Sequence, residues 1–101
     1  MVRIILRYFA GCPNWRLAEE RLRAALATLG MSDAAIALEP VETPDEAVRL
    51  GFRGSPTIIV DGRDPFADED ASVGLACRIY VTDEGPQGAP TIAQLQAALA
   101  A

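Results

Sequence analysis

The chain contains no histidine and no lysine; its nine basic side chains are all arginines, spread over 101 residues. Without histidine there is no Ser-His-Asp or Cys-His nucleophile pair, no imidazole base and no histidine-containing zinc site. Without lysine there is no Schiff base and no phosphate-cradling lysine of the P-loop kind. Basic charge is also scarce overall. The net charge of −5 opposes a nucleic-acid partner, whose phosphates need a positive field. No apolar run approaches the ~20 residues that span a bilayer, and Met1 leads directly into a strand-like segment instead of a signal peptide, so the expectation is a cytoplasmic protein without membrane contact. Two cysteines are too few for a disulfide scaffold or a four-thiolate metal site, which makes reduced thiols the expected resting state. Sulfur is what remains for chemistry near neutral pH.

Half the residues are hydrophobic, which suits one domain spanning 1–101 that buries roughly 65% of its unfolded surface. Residues 2 to 9 are β-branched and aromatic with little polar interruption and predict a buried central strand. Ala10-Gly11-Cys12-Pro13 breaks the run, with Pro13 suited to the first helical position. Ala18, Leu22, Ala25, Leu26 and Leu29 then form a helical stripe, Glu19 and Arg23 pair on its exposed side, and Gly30 stops it. Ile36, Leu38 and Val41 mark a second strand, confined to an edge by Pro40. Thr43-Pro44-Asp45-Glu46 is a capping box that opens a short helix ending near Leu50 at Gly51.

Thr57 to Val60 forms a third strand after the turn Arg53-Gly54-Ser55-Pro56, and Ala76 to Thr82 forms a fourth, with Ile79 and Val81 on one face and Arg78 and Tyr80 on the other. Thr91 and Gln94 cap a last helix carrying Ile92, Leu95 and Leu99. The order is β-α-β-α-β-β-α, an α/β (α+β) architecture. The connection at about 62–75, rich in Asp64, Asp68, Glu69 and Asp70, reads as a long exposed loop or lid.

This order, a cysteine-proline pair at a strand-to-helix turn (Gly11-Cys12-Pro13-Asn14-Trp15) and Ser55-Pro56 ahead of the third strand together resemble the thioredoxin-like superfamily over nearly the whole chain. The resemblance implies a four-stranded mixed sheet flanked by helices and a cis peptide at Pro56. Where that family carries the second cysteine of Cys-x-x-Cys, this chain has Trp15. The phrases Gly-Ser-Pro-Thr-Ile-Ile-Val-Asp-Gly, Asp-Pro-Phe and Gly-Leu-Ala-Cys-Arg-Ile-Tyr also resemble small bacterial thioredoxin-like proteins, some labelled alkylmercury lyase. That label implies two thiols and a carboxylate around mercury, for which Cys12, Cys77 and Asp61 or Asp64 are available.

Cys12, at the start of a helix, would face unpaired N–H groups and the positive end of the helix dipole, and cysteines so placed have pKa values of ~3.5 to 7.5 instead of ~8.5. A small capping residue is the plain alternative. Pro13, Trp15, Ser55 and Pro56 are the expected substrate surface: the Ser55 backbone would pair with an extended peptide or thiol cosubstrate, and the Trp15 indole would serve as a platform or cover the core. An antiparallel third and fourth strand would leave Cys77 ~13 Å from the Cys12 turn, beyond the ~7 Å Cα separation of a disulfide, making it a buried core cysteine. A long loop returning the segment would make it a second, resolving thiol instead. Arg53 and Arg78 are anion contacts near either thiol, or solvated surface charges.

The function that follows is monothiol exchange through Cys12 with a protein disulfide or a low-molecular-weight thiol, without cofactor or resident metal. A non-catalytic binding or adaptor protein and thiol-based handling of mercury compounds are the alternatives.

Overall fold

In a computed structural model describing residues 2–100, the elements run β1 (Ile4–Tyr8), α1 (Asn14–Thr28), β2 (Ile36–Pro40), α2 (Pro44–Leu50), β3 (Thr57–Val60), β4 (Tyr80–Thr82), β5 (Gly85–Gln87) and α3 (Ile92–Ala100). The fold is α+β. β1 is central in a mixed sheet of order β2-β1-β3, parallel to β2 and antiparallel to β3, as its near-continuous apolar sequence requires. Ile4 and Leu6, alternate residues of β1, pack with Ala18, Leu22, Ala25 and Leu26 of α1, Ile58 of β3, and Leu95 and Leu99 of α3 in the main core. Ile92, expected on that stripe, is exposed. A smaller cluster joins Val41, Ala47 and Phe52 around α2.

The caps follow local chemistry. Thr43 Oγ1 accepts from the Glu46 amide at 3.1 Å while Glu46 Oε1 accepts from the Glu42 amide, and Gly51 closes α2 in the left-handed region at φ 65°. Ahead of α3 the box is reciprocal: Thr91 Oγ1 accepts from the Gln94 amide and Gln94 Oε1 accepts from the Thr91 amide. Helix α1 begins one residue later than its sequence suggests: Pro13 is its N-cap, already at helical φ and ψ, so Cys12 stands immediately before the helix.

The expected fourth strand is where the architecture departs. Among the described residues there is no four-stranded sheet; β4 pairs with the additional short strand β5 in a separate two-stranded sheet. The outer edge of β3 is engaged locally, because Val60 and Arg63 exchange backbone hydrogen bonds across the Asp61-Gly62 turn. The chain therefore leaves β3 without an antiparallel return. In the β4–β5 hairpin, Thr82 Oγ1 accepts from the Glu84 amide and donates to the Gly85 carbonyl, and Gly85 takes φ 98°. Pro86, which cannot donate a ladder bond, keeps β5 at an edge. Among the described residues no helix is long and apolar enough to cross a membrane.

Because Thr43 supplies one of the orphan-donor partners of α2, Thr43→Ala is expected to lower unfolding free energy by about 1 kcal/mol, read from the midpoint of a urea titration at unchanged m-value.

Candidate functional site

The site is assembled at Ser55. Its amide donates to the Ala76 carbonyl at 2.8 Å and its carbonyl accepts from the Arg78 amide at 2.8 Å, a parallel bridge that sets Cys77 beside Ser55. The chain between Asp61 and Ile79 is thus a mostly exposed excursion, as its acidic composition predicts, but one that returns to the start of β3 instead of running on beside it. The Ser55–Pro56 peptide is cis, as the resemblance implies.

This return overturns the expected distance. Cys12 and Cys77 form a disulfide with Cα atoms 5.8 Å apart, and among the described residues no cysteine is free. The ~13 Å expectation assumed an antiparallel fourth strand; the parallel bridge brings Cys77 to the near end of β3. Nor is Cys77 a buried core cysteine: it is exposed, while Cys12 is only 1% exposed. Where reduced thiols are expected, the two cysteines are here joined by a bond that closes a sequence separation of 65 residues. In the chain-entropy picture a closure of that length stabilises the fold by about 4 kcal/mol. Cys12 Sγ also lies 3.7 Å from the Ser55 carbonyl oxygen.

Gly54 permits the approach. It sits at φ 116°, and a Cβ there would lie 2.9 Å from Arg78 Cβ and 3.2 Å from Arg78 Cα. Arg78 is 6% exposed and is neither a solvated charge nor a free anion contact. Its guanidinium donates to Asp64 Oδ2 at 2.7 Å, to Thr57 Oγ1 at 3.3 Å and to the Phe66 carbonyl, and it lies 4.7 Å from the centroid of the Tyr80 ring. A buried guanidinium is costly unless its donors are met, and here the acceptors meet it. Arg53 donates to the Glu69 and Ala71 carbonyls, so both arginines hold the excursion down. Phe66 packs against the main core and edge-on to Tyr80 at 5.5 Å.

The segment after Cys77 has inverted polarity: Arg78, Tyr80 and Thr82 are buried whereas Ile79 and Val81 are exposed. Tyr80 donates its hydroxyl to the Pro56 carbonyl. Burial pushes its phenol pKa far above the ordinary value; the Arg78 charge opposes this, and Asp64 adds to it. Ser55 Oγ is buried without a hydrogen-bond partner among the described residues.

Trp15 stacks on Tyr8 at 4.2 Å, carries the Arg16 guanidinium 4.7 Å from its centroid and packs against the main core, which matches its core-covering reading. Pro13 is exposed beside Cys12, and Pro56 is buried. Of the carboxylates considered for a mercury site, Asp64 is paired with Arg78 and Asp61 accepts from the Arg3 amide. Among the described residues no group of three or more cysteine or carboxylate side chains comes together to hold a metal. The roles of Gly54, Asp64 and Phe66 were not read from the sequence. Gly54 beside Ser55-Pro56 was the available signal of close backbone approach, and Asp64-Pro65-Phe66 that of an Asx turn, in which the Phe66 amide donates to Asp64 Oδ1 at 2.8 Å. The chain matches no family model, no curated protein and no solved structure.

Gly54→Ala is expected to cost about 1–3 kcal/mol, from left-handed strain and overpacking against Arg78, and to lower the melting temperature of the disulfide form. A second expectation concerns alkaline pH. The folded chain keeps the Tyr80 proton where the unfolded chain, with an ordinary pKa of about 10, has released it. The associated stability is complete below about pH 10 and is lost as pH rises from there toward the raised folded value. Urea titrations across that range should show falling stability in wild type and a shallower fall in Tyr80→Phe.

Proposed function

We propose that the protein is a thioredoxin-like thiol–disulfide exchange protein whose redox pair is Cys12 and Cys77. The observation that carries this reading is the disulfide between a buried cysteine at a helix start and an exposed cysteine held by the Ser55 backbone. It modifies the monothiol expectation: Cys77 takes the role of the second thiol that Trp15 cannot fill.

Accessibility assigns the order of events. An external thiolate attacks the sulfur of Cys77, the exposed residue of the pair, forms a mixed disulfide there and breaks the Cys12–Cys77 bond. Cys12 departs as thiolate immediately before the first turn of α1, where unpaired amides and the helix dipole favour negative charge. A second external thiol then attacks the mixed disulfide, releasing Cys77 as a thiol and the external partner as its disulfide. In the opposite direction the two protein thiols deliver two electrons to a substrate disulfide. No histidine base is required, because the thiolate is favoured by position.

The test is a redox titration of the native protein against glutathione, with acid quenching and peptide mapping of the adduct. A midpoint above about −300 mV and a first glutathione adduct on Cys77 are expected. A bond that resists excess dithiothreitol under native conditions would instead make the disulfide a structural staple of a non-catalytic protein, and a first adduct on Cys12 would overturn the order of attack.

A further inference from the structure

The backbone groups of Ser55 that would pair with an extended external peptide are both taken by the chain itself, through the Ala76 carbonyl and the Arg78 amide. Between those two residues stands Cys77, joined to Cys12. Ala76-Cys77-Arg78 therefore has the attributes of a bound cysteine peptide: two backbone bonds to a strand edge, a disulfide to the buried sulfur, and a side chain anchored beyond it. We infer that this segment is an autoinhibitory resident ligand of the Ser55 edge, released when the Cys12–Cys77 disulfide is reduced. The inference rests on the exchange activity proposed above and adds its regulation.

Three observations support a segment that docks reversibly. Around Cys77 its docking is polar and local, through the two Ser55 bonds, the contacts of Arg78 with Asp64, Thr57 and Phe66, and those of Arg53 with Glu69 and Ala71, and only Phe66 and Leu75 of the excursion pack against the core clusters among the described residues. The excursion is not sealed onto the sheet, since a cleft of about 300 Å³ lined by Arg7, Thr57, Ile59, Asp64 and Glu69 lies between them. Finally, the buried hydroxyl of Ser55, at the centre of the docking edge, makes no hydrogen bond among the described residues while the resident segment is in place.

Reduction by a dithiol proceeds with balanced atoms and electrons. One reductant thiolate bonds to Cys77 Sγ and expels the Cys12 thiolate; the second reductant thiol attacks its own sulfur in the mixed disulfide, leaving Cys77 as a thiol and the reductant as a cyclic disulfide. With the covalent tie gone, the segment keeps its polar contacts and the flanking apolar contacts of Phe66 and Leu75. The Ser55 amide and carbonyl and the Cys12 sulfur then become accessible together, on the strand edge that an extended cysteine-bearing peptide would pair with. Asp64 is a positioning residue in this scheme: by holding Arg78 it sets how strongly Cys77 is presented to Cys12.

Amide hydrogen exchange on the full chain tests the inference in oxidised wild type and in Cys77→Ser, which lacks the disulfide under every condition. The Ser55 and Arg78 amides are expected to exchange about tenfold or more faster in Cys77→Ser, beyond any change in the α1 amides, which report global opening. Alkylation of Cys12 by iodoacetamide should proceed readily in that variant and not in oxidised wild type. Unchanged protection of Ser55 and Arg78, or a loss matched in full by α1, would overturn the inference. Asp64→Asn provides an independent readout: each tenfold weakening of docking should make the wild-type disulfide easier to reduce by about 30 mV, and an unmoved midpoint would remove Asp64 from the scheme. A native disulfide that cannot be reduced defeats the exchange function, whereas the exchange result in Cys77→Ser bears only on the docking.

Discussion

Two backbone hydrogen bonds from Ser55, one to Ala76 and one from Arg78, determine where most of the unusual features of this molecule lie. They turn the excursion after β3 back on itself and bring together two cysteines 65 residues apart in sequence. They also require the backbone of Arg78 to come so close to Gly54 that a Cβ would not fit. Ser55 can act in this way because it stands just ahead of β3, which is itself held against the central strand β1. The exposed excursion is thus fastened beside a strand of the central sheet.

The inverted polarity of the segment after Cys77 follows from the same constraint. Docking at Ser55 turns Arg78 inward, and in an extended chain side chains alternate, so Tyr80 and Thr82 follow it in while Ile79 and Val81 face water. Shifting the register by one residue would bury the aliphatic side chains but sacrifice the Arg78 contacts and the alignment of Cys77. The cost of burying a guanidinium is offset by Asp64, Thr57 and the Phe66 carbonyl. Here a polar anchor and a sulfur contact take precedence over aliphatic burial.

Stability is accordingly divided. The sheet, α1 and α3 share the large apolar cluster, whereas the excursion is held by Phe66, a few polar contacts and one disulfide. Burial of apolar area resists opening in every redox state, but a covalent tie contributes only while it is oxidised. That division gives the disulfide more leverage over the excursion than over the core.

Local chemistry was legible in the residues themselves. The edge character of β2 from Pro40, the Thr43 and Thr91 capping boxes, the central position of β1, the Glu19–Arg23 pair and Cys12 beside a helix start all depend on neighbours within a few positions, and each is found. The cis peptide at Pro56 came from the resemblance and not from any local force. What only the tertiary structure decided was the partner of Cys77, the burial of Arg78 and the separate β4–β5 sheet. A strand pattern specifies which faces alternate but not which edge the strand will meet or in which direction. Here the Val60–Arg63 turn engaged one edge of β3, and a long loop, whose closure cost grows only slowly with length, carried the next segment back to Ser55.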